Sequence, residues 1–115
     1  MVKDIAFFAY SVRDVPKAIA FYRDILGLTP GELFSDHWAE FNVGGVAFGV
    51  GNGEPLGYEP GKSFGVSFEV DDIDAVRGKL VAHGLETSET KDFPNCRAVF
   101  SQDPEGNKFS LHQRK

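Results

Sequence analysis

The chain alternates large apolar residues with small or polar ones over several short runs, and two helical stretches separate those runs. Ala6, Phe8, Tyr10 and Val12 alternate with Phe7, Ala9 and Ser11. Ala39, Phe41 and Val43 alternate with Trp38, Glu40 and Asn42, and Val46, Phe48 and Val50 with Ala47, Gly49 and Gly51. Later, Phe64, Val66, Phe68 and Val70 alternate with Gly65, Ser67 and Glu69. A period of two predicts strands that give one face to a core. Weaker strands are expected over 31–35 and 85–91. Asp14 as cap, Pro16 in the first turn, the stripe Val15, Ile19, Tyr22 and Leu26, and Gly27 as stop predict a first helix. Asp71 or Asp72 as cap, the stripe Ile73, Val76 and Leu80, and Gly84 as stop predict a second. Asp103-Pro104-Glu105-Gly106-Asn107 predicts a type I turn with glycine in the left-handed position. Pairing outward from it sets Ser101 against Phe109, Phe100 against Ser110 and Ala98 against His112.

The order is therefore β-α-β-β-β, written twice. Asp14 and Asp72 lie 58 residues apart and Gly27 and Gly84 lie 57 apart, so punctuation and flanking strands repeat together. The expectation is an α+β fold: a single domain, 1–115, made of two βαβββ modules, about 1–51 and 63–115. Residues 51–62 hold four Gly and two Pro, which reads as a linker over about 52–62, with a mobile flap as the alternative.

The two faces of the strands differ. Phe8, Phe41, Phe48, Phe64, Phe68 and Phe109 are expected to meet the helix stripes, since burying such a side chain is worth roughly 1.5–3 kcal/mol. The opposite face carries Ala9, Ser11, Ala47, Gly49, Gly65, Ser67, Ala98 and Ser110, too small to fill a core layer. A sheet curved around them leaves a hollow, bordered by Phe7, Trp38, Glu40, Glu69, Phe100, Lys108 and His112. The alternative is that this face meets solvent or a second copy of the chain.

Composition narrows the function classes. The chain has 115 residues, 42% of them apolar and 25% charged, which is ordinary for a globular domain. A net charge of −5 is the wrong sign for gripping nucleic acid or an anionic membrane. No run reaches the roughly 18 apolar residues of a membrane span, and the first residues lack a signal-peptide layout. A single cysteine, Cys96, excludes an internal disulfide and suits a reducing cytoplasm, the expected location.

Three segments carry a family resemblance: Val12-Arg13-Asp14 with Phe21-Tyr22-Arg23-Asp24-Ile25-Leu26-Gly27-Leu28, Phe68-Glu69-Val70-Asp71-Asp72, and Asp103-Pro104-Glu105-Gly106-Asn107. On these the chain resembles the vicinal oxygen chelate superfamily, which contains glyoxalase I, bleomycin-resistance proteins, fosfomycin-resistance enzymes and extradiol dioxygenases. The resemblance implies one cupped, eight-stranded mixed sheet with helices on its outer face, and a homodimer. Enzymes of that superfamily hold a divalent metal with His, Glu or Gln at four strand positions. The matching positions here are Phe7, Gly49, Gly65 and Ser110, none of them a normal ligand, so no metal and no cofactor are expected.

The remaining chemistry-bearing residues are few. Asp36, His37 and Glu40 offer ligand types, but strand neighbours point to opposite faces. Cys96 and His112 share a face two residues apart, loosely spaced for a thiolate–imidazole pair. Glu40, Glu69, His112 and Cys96 are the catalytic candidates. The ligand pocket is read as Phe7, Ala9, Trp38, Glu40, Gly49, Gly65, Ser67, Glu69, Phe100, Ser110 and His112. Arg97 interrupts an apolar row and calls for an ion-pair partner; His83 suits the end of the second helix. Three readings stay open at this stage. They are a metal-free protein binding a small organic ligand, a lyase, isomerase or dioxygenase-type enzyme with an acid–base site, and a homodimeric interaction module.

Overall fold

In the computed structural model, which describes residues 1–115, Asp14 opens the first helix by accepting the Lys17 backbone N–H at 3.0 Å. Helix α1 runs Val15–Ala20 and then widens into a π-helical turn, Phe21–Ile25. There the Leu26 N–H reaches the Phe21 carbonyl at 3.1 Å, five residues back. The expected uniform stripe is corrected by this turn: the extra residue per turn lets Phe21 and Tyr22 both bury, while Leu26 moves to half-exposure. Their rings meet edge-on with centroids 4.9 Å apart, and Tyr22 reaches Phe48 at 5.1 Å. Gly27, at φ 75°, ends the element.

Helix α2, Ile73–Ala82, is capped by Asp72, which accepts the Ala75 N–H at 3.2 Å. The Gln113 side-chain carbonyl takes the Ile73 N–H at 2.8 Å, and Ile73 and Leu80 bury completely. His83 caps the helix C-terminus, its Nδ1 2.8 Å from the Lys79 carbonyl.

The strands are β1 Phe8–Ser11, β2 Thr29–Phe34, β3 Trp38–Val43, β4 Val46–Gly51, β5 Val66–Glu69, β6 Lys91–Phe93, β7 Cys96–Gln102 and β8 Lys108–Arg114. They hydrogen-bond as two mixed sheets of four, ordered β1-β4-β3-β2 and β5-β8-β7-β6. In each, the first strand pairs in parallel with the last and the other pairs are antiparallel. The architecture is thus α+β, a βαβββ unit twice. The chain divides into Met1–Pro60 and Gly61–Lys115. Tyr10, Val12, Phe41, Phe48 and Val50 form the first core with α1, and Phe68, Val99, Phe109 and Leu111 the second with α2.

Two expected core residues are corrected. Phe8 is 46% exposed at the start of the edge strand β1. Phe64 is 80% exposed because Gly65, at φ 104°, breaks the strand before residue 66, so alternation does not extend back to it. The strand expected over 85–91 contracts to one bridge, Thr87 with Ser101, followed by the short β6. By contrast, the β7–β8 ladder has the register read from its turn: Ser101 with Phe109, Phe100 with Ser110, Ala98 with His112.

The glycine- and proline-rich segment after β4 folds onto the first unit. It contains a 3₁₀ turn, Glu54–Leu56. The Ser11 hydroxyl accepts the Gly53 N–H at 3.0 Å and donates to the Tyr58 carbonyl at 2.8 Å, while Arg13 pairs with Glu54 at 2.7 Å. In the second unit the buried pair Asp103 and Asn107 organises the β7–β8 turn and ties down Ser63, whose N–H meets Asn107 Oδ1 at 3.0 Å. Arg97 has the partner its position demanded, Asp74 at 2.9 Å. No helix is long and apolar enough to cross a membrane.

Candidate functional site

In the first module the Gly44-Gly45 turn, with φ of 55° and 84°, sets the β3–β4 register. That register puts Trp38 opposite Gly51 and Glu40 opposite Gly49. Side chains on one strand can then lie across backbone on the next, and Trp38 does so. A Cβ built on Gly49 would stand 2.5 Å from Trp38 Cζ2, and one on Gly51 would stand 2.6 Å from Trp38 Cε3. Both distances are far inside van der Waals contact, so the two glycines are the seat of the indole. Gly49, expected as an open position in a hollow, is instead buried beneath this side chain.

The indole is fixed in its plane. Its Nε1–H donates to Glu40 Oε2 at 2.7 Å. The Phe7 ring stands edge-on to it, centroids 5.5 Å apart and planes at 73°, and remains 49% exposed. Ala9, paired with Gly49 across β1 and β4, adds another small residue to the row. Phe7, Trp38 and Glu40 therefore come together as an aromatic pair with a carboxylate, all partly open to solvent. Gly51 was missed as a site residue, although it has the same strand parity as Gly49.

The second module carries hydroxyl and charged groups at the corresponding strand positions. Ser67 opposes Ser110 and Glu69 opposes His112 along β5 and β8. Ser110 Oγ donates to Ser67 Oγ at 2.7 Å, and His112 Nδ1 lies 2.6 Å from Glu69 Oε1. The second Glu69 oxygen accepts the Arg114 backbone N–H at 2.8 Å, a partner not foreseen from the sequence. That backbone bond first, and the imidazole second, hold the Glu69 carboxyl below the usual carboxylate range. An ionised carboxylate only accepts, so Nδ1 carries a hydrogen, and in the neutral tautomer this selects, Nε2 is the acceptor.

The imidazole of His112 is bonded to Glu69, while Cys96 opposes Arg114 across the ladder. Phe100 lines a groove of about 360 Å³ with Thr87, Ser88 and Lys108, whose walls include none of Ser67, Glu69, Ser110 or His112. Gly65 lies outside β5, with open space where a Cβ would be.

The sequence model of the Glyoxalase/Bleomycin resistance protein/Dioxygenase superfamily matches residues 4–111, nearly the whole chain. The chain belongs to that superfamily. Among superfamily relatives, the Metallothiol transferase FosB of Staphylococcus epidermidis is 29% identical over 121 residues, covering 97% of this chain and 84% of its own. The solved structure of TnmS3, an antibiotic binding protein from Streptomyces sp. CB03234, superposes with a TM-score of 0.82 at 25% identity, covering 99% of this chain and 98% of that one. A lactoylglutathione lyase from Agrobacterium tumefaciens shares the fold, with a TM-score of 0.76 at 20% identity over 98% and 95% of the two chains.

A superfamily metal does not fit the residues present. The positions that the resemblance matches to its ligands, Phe7, Gly49, Gly65 and Ser110, supply no imidazole, carboxylate or thiolate, and the Trp38 ring covers Gly49. Nowhere in the chain do three or more His, Cys, Asp or Glu side chains converge as a metal site would need.

Proposed function

We propose that this chain is a binding member of its superfamily, holding a small organic molecule on the aromatic face of its first sheet without recourse to a metal. The observation that carries the reading is the Phe7–Trp38 pair, its indole seated over Gly49 and Gly51 and both rings partly exposed. Two fixed rings give a flat apolar ligand a surface to cover, and Glu40 gives it one polar anchor. Ala9 and Gly49 belong to the floor of that face. For the second module, taken by itself, Gly65, Ser67, Glu69, Phe100, Ser110 and His112 are proposed as ligand contacts. The likeness to an antibiotic binding protein supports this reading. The wider proposal is of one domain made of the two modules, working in the cytoplasm as a homodimer. The exposed Phe8, Phe64 and Phe100 support a partner copy, and light scattering on the purified protein tests it.

Because Trp38 is the single tryptophan, its emission reports on the site directly. Titration with a panel of aromatic antibiotics should change that emission saturably for at least one compound, with fosfomycin as the non-aromatic control. Elemental analysis should find no stoichiometric transition metal. One ion per chain, or ligands that raise thermal stability while Trp38 emission stays constant, would overturn the reading.

A second reading is favoured by the Glu69–His112 pair. A carboxylate that fixes the imidazole tautomer leaves Nε2 as a proton acceptor, the arrangement a metal-free acid–base enzyme would use. A turnover lost in His112→Gln while the Trp38 response persists would favour that alternative.

A further inference from the structure

Glu40 differs from the carboxylates that the chain pairs with cationic side chains. Glu54 meets Arg13, Glu69 meets His112 and Arg114, and Asp74 meets Arg97. Glu40 sits half-buried and receives the Trp38 indole N–H, with no ammonium, guanidinium or imidazolium within salt-bridge distance. The strands of its own sheet supply none: β1, β2, β3 and β4 contain no Lys, Arg or His, and their two charged residues are Glu32 and Glu40. The second sheet, by comparison, holds Lys91, Arg97, Lys108, His112 and Arg114.

A partly desolvated carboxylate without a counter-ion carries a cost that a bound cation would relieve. The two rings beside it add to the same preference, because aromatic faces attract cations, indole most strongly. One Glu40 oxygen is committed to the indole, and the other retains its lone pairs for a ligand. We propose that the Phe7–Trp38–Glu40 cluster is a subsite for an organic cation, an aryl- or alkylammonium group carried by the ligand. This rests on the binding function proposed above and names the chemical class that it selects.

The protein contributes one indole N–H resonance, so a ¹⁵N-labelled sample gives a single cross-peak for the site. The probes are benzyltrimethylammonium and benzyl alcohol, which share the aromatic ring and differ in charge. The cation should shift the indole peak with at least about fivefold tighter affinity, as one cation–π contact with an adjacent carboxylate implies. Glu40→Gln keeps an oxygen to accept the indole N–H and removes the charge, so the preference should fall to within about twofold. Phe7→Leu keeps apolar area and removes a ring; it should weaken the cation more than the alcohol. Equal affinities in the wild type would overturn the cation subsite while leaving a binding face standing. No shift with either probe, in a protein whose remaining spectrum is folded, would overturn the face and the subsite together.

Discussion

Replacing Gly49 by alanine tests whether the indole's seat is built as described. The added Cβ would lie 2.5 Å from Trp38 Cζ2 and equally close to Cη2, at 2.6 Å, so the ring must retreat by about 1 Å to restore ordinary contact. That movement disturbs the 2.7 Å bond to Glu40 and the edge contact with Phe7. Overpacking of this kind costs about 1–3 kcal/mol. Alanine would otherwise be mildly favourable, since glycine in a strand loses about 0.5–1 kcal/mol of backbone entropy relative to it. The sign of the effect should therefore depend on Trp38. In the wild-type background Gly49→Ala destabilises by about 1–3 kcal/mol; in a Trp38→Ala background it is neutral or stabilising. The resulting coupling is about 1–4 kcal/mol. Urea unfolding followed by far-ultraviolet circular dichroism measures all four corners of the cycle without needing the tryptophan. A cost that stays the same after Trp38 is removed would refute the reasoning.

Other consequences are equally checkable. Asp103, 1% exposed, accepts the Glu105 N–H at 2.9 Å, the Asn107 N–H at 3.0 Å and Asn107 Nδ2 at 3.0 Å. Asp103→Ala strands those donors and should cost about 2–4 kcal/mol in urea unfolding, at the high end for a single substitution. The lowered Glu69 pKa makes a contribution that is complete above the unfolded value and is lost as pH falls through the folded one. Wild-type and Glu69→Gln stabilities should therefore differ at neutral pH and converge once pH has fallen through the lowered folded value of Glu69, as melting curves across pH will show. Nitrogen-15 shifts of the neutral form of His112 should report hydrogen on Nδ1, and Glu69→Gln should mix the tautomers.

Much of the fold was legible because local chemistry agreed with it. The Asp14 and Asp72 caps, the Gly27 and Gly84 stops and the turn at 103–107 each act within a few residues, and each is where the pattern put it. Arg97 announced a partner without naming Asp74, which lies 23 residues away. The departures come from tertiary effects. The π-helical turn lets Phe21 and Tyr22 both bury, with Tyr22 against Phe48 and Phe41, which a helical wheel does not register. Phe64 looked like a core residue until the left-handed conformation of Gly65 broke the parity.

The face was half legible. Parity grouped Phe7, Trp38, Glu40 and Gly49 correctly, and the Gly44-Gly45 turn held the register that seats the indole. In the sequence, small residues on one strand face suggest empty space. Alternation records which face a residue occupies, but not whether a large neighbour on the next strand leans across it. Trp38 does lean across, and Gly49 is the floor beneath it.

The most direct test of a ligand face at Trp38 is a map of backbone amide and indole shifts during titration with an antibiotic that binds saturably. Binding there predicts that the indole peak and the amides of Phe7, Ala9, Glu40 and Gly49 move together along one isotherm. Saturable binding that leaves the indole and those amides in place would contradict it.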